Sequence, residues 1–153
     1  MDISKNTTVE EFIERMGLIA EGDGLPRIAG RIMGLMVIDG GPLSFTELAE
    51  QLAVSRGSIS TNTRFLEHLG VIERVAQRGE RQDYFRLATA PYVRLLQGSV
   101  DRAVKAHSVV AHARSQLSVD DEGAKRRLDE LSAFYEELGN SFRDLAKRFS
   151  RED

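Results

Sequence analysis

The chain has 153 residues, no cysteine, 41% hydrophobic and 29% charged residues, and a formal net charge of −3. Its length suits one domain or a small domain with long helical extensions, and its composition excludes a disordered chain. The absence of cysteine excludes a disulfide framework, a thiolate metal site and a thiol switch. No apolar run approaches the roughly 20 residues that span a bilayer. The opening MDISKNTTVEEF carries Asp2 and lacks the continuous apolar stretch of a secretory signal, so no membrane partner and a cytoplasmic location are expected.

Charge is distributed unevenly. Residues 1–43 hold four Lys/Arg against seven Asp/Glu, whereas 44–87 hold six and six and 88–153 eleven and eleven. Nucleic-acid domains often show a basic footprint, and here positive charge is only local. Ser55 to Leu66 holds Arg56 and Arg64 with no acid, and the stretch AQRGERQ holds Arg78 and Arg81 against Glu80.

In chain order, Thr7 or Thr8 with Glu10 or Glu11 three residues later predicts a capping-box helix start. Val9, Phe12, Ile13, Met16 and Ile19 form the apolar stripe of that helix, and EGDG ends it. Pro26 opens a second helix, RIAGRIMGLMVI, with Ile28, Ile32, Leu35 and Met36 facing inward. Its Gly30 and Gly34 are spaced as two small residues that let another helix approach closely; the run is too short and too charged for a membrane dimer. Gly40-Gly41-Pro42 stops it.

Ser44 and Glu47 form a second capping box, with Leu48, Ala49 and Leu52 as the apolar face of a short helix. After a turn at Val54-Ser55, Ser55 is the N-cap of a further helix that stops at Gly70. Val71, Ile72 and Val75 with Tyr84 and Phe85 predict a two-stranded hairpin around the basic loop. Pro91 starts a long helix with a small face at Ser99, Ala103, Ala106, Val110 and Ala113. After SVDDEG, a last helix carries Ala124, Leu128, Leu131, Tyr135, Leu138, Phe142, Leu145 and Phe149 in alternating steps of four and three. A period of 3.5 is a coiled-coil seam, and it needs a partner: the helix from Pro91, or a second copy of the chain. Gly139, off the seam, marks a bend in this reading.

Helix, turn, helix and basic hairpin form a winged helix-turn-helix. The fold class expected is mainly α with a small β-hairpin wing. It divides into N-terminal support and dimerisation helices (1–43), the winged unit (44–90) and C-terminal dimerisation helices (91–153). Advancing about 100° per residue from Ile59 puts Thr63, Leu66 and Gly70 on the buried line of the second helix and Gly57, Thr61, Arg64 and His68 opposite, with Ser60 flanking. Solubility alone favours Glu and Lys on an exposed face. Glycine lets a backbone approach a duplex, hydroxyls can bond phosphate or base edges, and arginine can bond guanine bidentately. Ser55, Arg56 and Ser58 occupy the first turn, where free N–H groups and the helix dipole favour phosphate. Arg78 and Arg81 on the wing can reach the adjacent minor groove or its phosphates. The bland alternatives are a capping serine, a solvated helix face and an ordinary charged hairpin tip.

Residues 44–87 resemble the winged helix-turn-helix of the MarR family. GLPRIAGRIMG and SRGSISTNTRFLEHLG resemble its GbsR-like branch in particular. The resemblance covers residues 10–90 well and the C-terminal helices in layout only. It implies a homodimeric repressor whose paired recognition helices read a pseudo-palindromic operator in double-stranded DNA. Where the family often has Asp-Arg-Arg at the wing, this chain has Glu80-Arg81-Gln82 and keeps one of the two arginines. The branch is associated with osmoprotectants such as choline or glycine betaine, which implies an effector whose cation would favour an aromatic cage. Phe12, Tyr84, Phe85 and Tyr92 are the rings available to one, against the bland reading that they are core.

Neither an enzyme, a metal site nor a cofactor is expected. His68, His107 and His112 form no ligand pair, Gly22-x-Gly24 lacks the rest of a dinucleotide motif, and no nucleophile motif occurs. The rival from another class is a winged-helix module that binds protein instead of DNA.

Overall fold

The computed structural model describes residues 3–151, with side chains described from Asn6 onward. It comprises α1 (Ile3–Gly22), α2 (Arg27–Asp39), β1 (Leu43–Ser44), α3 (Phe45–Leu52), α4 (Arg56–Leu69), β2 (Ile72–Val75), β3 (Tyr84–Leu87), α5 (Pro91–Gln116) and α6 (Glu122–Ser150). These form two compact units, Met1–Pro91 and Tyr92–Asp153.

In the first unit, α1 and α2 pack into the same core as the helix pair and the sheet. Ile13, Ile32, Leu35 and Met36 are buried in one cluster with Leu48, Leu52, Ile59, Leu66, Ile72 and Phe85. The close approach of α1 and α2 depends on glycine. A Cβ at Gly30 would lie 2.5 Å from the Met16 carbonyl oxygen, and one at Gly34 would lie 3.2 Å from Ile13 Cα. Arg31 crosses the same seam, pairing with Glu14 at 2.7 Å and donating to the Leu52 carbonyl at 2.8 Å, so it also closes the C-terminal end of α3.

Several expectations need correction. The first helix does not begin at Thr7 or Thr8; it already runs from Ile3, and no glycine or proline upstream interrupts it. Ile19 is 57% exposed instead of joining the core stripe. The hairpin is the larger part of a three-stranded antiparallel sheet in the order β1-β3-β2. Leu43 and Ser44 pair with Phe85 and Tyr84, and a two-residue strand is too short to show periodicity.

In the second unit, α5 and α6 run antiparallel, as the Ser132–His107 contact (3.0 Å) and the Arg114–Asp129 pair (3.0 Å) show. The small face of α5 is inward, with Ala103 and Val110 buried. The line of α6 that meets it is displaced from the expected seam. Gly139 and Ala146 are buried, and a Cβ at Gly139 would lie 3.5 Å from the Ala103 Cβ. Gly139 is therefore a packing residue inside a continuous helix. Small residues of α6 face small residues of α5, which leaves Leu131, Phe134 and Phe149 exposed. Among the described residues, no helix is long and apolar enough to cross a membrane.

Candidate nucleic-acid interface

The second helix of the pair, α4, is held by signals within its own sequence. Ser55 caps it by accepting the Ser58 N–H at 3.1 Å, and Gly70 closes it in the left-handed conformation. The preceding helix has its full capping box: Glu47 N–H donates to Ser44 Oγ at 3.0 Å, and Ser44 N–H to Glu47 Oε2 at 2.6 Å. Ile59, Thr63 and Leu66 are buried, and the Thr63 hydroxyl donates to the Ile59 carbonyl at 2.7 Å. Gly57, Thr61, Arg64 and His68 are exposed on the other side, with Ser58 and Ser60 half-buried beside them. The helix thus presents the Gly/Thr/Arg face to solvent.

Asn62 is a buried polar residue on α4 that periodicity did not single out. It is 7% exposed, its amide donates to the Ser58 carbonyl at 2.8 Å, and its Oδ1 has no hydrogen-bond partner.

The arginines of the winged unit fall into two sets. Arg74 bridges Glu67 at 2.9 Å and Asp83 at 2.8 Å over the Phe85 ring, and Arg86 pairs across the strands with Glu73 at 2.7 Å. Glu67, followed by Asp83, raises the Arg74 pKa above its ordinary value against a partial desolvation cost. These two arginines are committed to the fold. Arg56, Arg64, Arg78 and Arg81 carry no ion pair among the described residues. Arg64 lies back along its own helix, donating to the Ser60 carbonyl at 3.2 Å and to Ser60 Oγ at 3.0 Å. Arg78 and Arg81 are exposed around the turn in which Glu80 N–H donates to the Gln77 carbonyl at 3.1 Å. Glu80 is exposed between them and subtracts from their charge.

Arg56 is neither free nor ion-paired. Its Nη1 donates to Thr46 Oγ1 at 3.2 Å and its guanidinium carbon lies 4.8 Å from the Phe45 ring centroid. Thr46 in turn donates to Gln82 Oε1 at 3.0 Å. No local pattern picks out Phe45, Thr46 and Gln82, because Thr46 and Gln82 lie 36 residues apart.

The candidate aromatic residues differ in burial and are divided between the two units. Phe85 is fully buried in the core with Arg74 over its ring, so it is not available to a ligand. Phe12 and Tyr84 are half-buried, and no ring pair forms among Phe12, Tyr84 and Phe85; Tyr92 is exposed in the second unit. Among the described residues, no group of three or more His, Asp or Glu is placed to hold a metal. His68 and His112 are exposed, and His107 bonds Ser132.

No family model matches the chain. Over 80 residues it is 50% identical to the HTH-type transcriptional regulator MmpR5 of Mycobacterium tuberculosis (strain ATCC 25618 / H37Rv), a stretch covering 52% of this chain and 48% of that protein. It is 26% identical over 131 residues to the putative HTH-type transcriptional regulator YvaV of Bacillus subtilis (strain 168), covering 80% of this chain and 74% of the relative. The match thus spans about half the length of MmpR5 and about three quarters of YvaV. A crystal structure of a transcriptional regulator superposes with a TM-score of 0.84 at 32% identity, covering 94% of this chain and 99% of the other. With the helix pair, the sheet and the exposed arginine-bearing face in place, the chain belongs to the winged helix-turn-helix transcriptional regulators.

Proposed function

We propose that the chain is a sequence-specific double-stranded DNA-binding regulator that acts as a homodimeric repressor on a pseudo-palindromic operator, in the manner of the GbsR-like branch of the MarR family. The observation that carries the reading is the sorting of the arginines. Those of β2 and β3 are paired with carboxylates, while Arg56, Arg64, Arg78 and Arg81, on α4 and the wing, have no carboxylate partner among the described residues. Paired cations add little to a duplex contact, whereas each unpaired one that meets a phosphate releases counterions. In this reading, Gly57, Ser60, Thr61 and Arg64 face base edges, and Ser55, Arg56 and Ser58 face phosphate. Arg78 and Arg81 reach along the adjacent groove.

Exposed apolar side chains support a second copy. Leu18, Ile19, Val37 and Ile38 in the first unit, and Val104, Val109, Leu131 and Phe134 in the second, are exposed large apolar groups that a second copy would cover in this reading. Two recognition helices held about 34 Å apart would meet successive major grooves. A cationic effector draws its support from the sequence resemblance alone, and heat on titration with choline or betaine is its test.

Selection of bound duplexes from a random pool tests the whole reading. Enrichment of an inverted repeat with half-sites one helical turn apart is the expected result. No enriched duplex at low salt would overturn it in favour of a protein-binding winged helix.

A further inference from the structure

Two side-chain ties join α4 to the base of the wing, and they end on consecutive residues, Gln82 and Asp83. Near the C-terminal end of α4, Glu67 is linked to Asp83 through Arg74. At the N-terminal end the link runs through a third element. Thr46 donates to Gln82 Oε1 at 3.0 Å and accepts from Arg56 Nη1 at 3.2 Å, so one hydroxyl serves as donor and acceptor at once. Beside it, the Phe45 N–H donates to the Asp83 carbonyl at 3.0 Å. Stacking on Phe45 and the bond to Thr46 together fix both the position and the plane of the Arg56 guanidinium.

We propose that Thr46 is a positioning residue for DNA reading: its hydroxyl holds the wing base and the first turn of the recognition helix in one fixed relation and aims the Arg56 guanidinium. This rests on the reading of α4 and the wing as the duplex-facing surface. A helix in a major groove and a hairpin on the neighbouring groove bind together only when their separation and angle match the duplex. A hinged wing must be ordered at the moment of binding, which weakens association, whereas one ordered beforehand does not. The sheet and the Phe45–Asp83 backbone bond hold the wing base to α3, and the Arg74 tie holds it to the C-terminal end of α4. Residues 56 and 67 are roughly 16 Å apart along a helix rising 1.5 Å per residue, and the Thr46 bond is the side-chain tie that sets the first turn of α4 against that base.

Thr46→Val keeps the shape and removes the hydroxyl, and Thr46→Ser restores it. Hydrogen exchange on the free protein should show faster exchange of the Phe45 and Glu80 amides in Thr46→Val and near-parental rates in Thr46→Ser. Duplex affinity of Thr46→Val should fall about tenfold, the equivalent of one or two lost hydrogen bonds. The slope of log affinity against log salt should shrink by about one per recognition helix, because a misaimed cation no longer meets its phosphate. Unchanged exchange, or a serine variant no better than valine, overturns the proposal. An affinity loss at unchanged salt slope also overturns it, since that is the mark of a neutral hydroxyl touching DNA directly. If the parent binds no duplex, the functional reading fails, and the exchange measurement still decides whether Thr46 holds the wing.

Discussion

Gly30→Ala is the substitution whose cost is read most directly from the geometry. The added methyl would lie 2.5 Å from the Met16 carbonyl oxygen, 2.6 Å from the Ala20 Cβ and 3.0 Å from the Gly17 Cα. Carbon atoms rest at roughly 3.5–4.0 Å, so α1 must retreat by about 1 Å along its seam with α2. Overpacking of this kind costs about 1–3 kcal/mol. Against it, alanine in a helix interior is favoured over glycine by about 0.8–1.0 kcal/mol. The retreat also stretches the 2.7 Å Arg31–Glu14 pair and loosens Ile13 against Ile32. The two terms leave a loss of about 0–2 kcal/mol, and the stretched pair and loosened contact move it into the upper half of that range. Gly34→Ala should be milder, because its nearest contact is 3.2 Å. Gly98→Ala is the control: its methyl meets Arg102 Nη1 at 3.4 Å, the end of a flexible side chain, so helix propensity should win. A gain of up to about 1 kcal/mol is expected there. Urea unfolding of the parent and the three variants, followed by circular dichroism, measures all of these on one scale. A Gly30→Ala protein as stable as the parent, or more stable than Gly98→Ala, would refute the close-approach argument.

Three further predictions concern the winged unit. Arg64→Ala should cost about 1–3 kcal/mol on the selected site and relax specificity at one position of each half-site, read by binding to a panel of single-base variants. Arg81→Ala should weaken binding to all duplexes alike and flatten the salt dependence, measured as affinity between 50 and 200 mM salt on specific and random sequences, roughly the range over which phosphate contacts dominate. Ser44→Ala removes the acceptor for the Glu47 N–H and should cost about 1 kcal/mol, lowering the melting temperature by roughly 2–4 °C. Glu47→Gln should be tolerated better, since glutamine also completes a capping box.

The charges of the winged unit show why a sequence can mark a surface without resolving it. Composition puts six arginines and six acids between residues 44 and 87, and a neutral total argues neither way. Which arginines remain unneutralised depends on a hairpin returning Asp83 to Arg74, nine residues away, and on strand register setting Glu73 opposite Arg86. Asn62 and Phe85 make the same point. The buried, half-satisfied amide and the ring closed under Arg74 are consequences of packing around them, not of their spacing.

The α6 helix shows what a period leaves open. The 3.5 period does describe the helix, and Leu128, Tyr135 and Phe142 are half-buried as expected. The line pressed against α5 nevertheless passes through Ser132, Gly139 and Ala146, because the partner face is itself small. Periodicity gives the spacing of a stripe, while the shape of the opposing surface sets its rotation.

What the amino-acid sequence determined by itself was local. Both serine caps, the glycine stops and the division of α4 into an apolar line and a Gly/Thr/Arg face could all be read, because each depends on residues within about one or two helical turns. Tertiary structure alone decided what is joined over distance. It placed α1 and α2 in the core of the winged unit, paired β1 with β3, and linked Thr46 to Gln82. Those contacts form between residues tens of positions apart, where no spacing rule operates and only the folded packing brings the groups together.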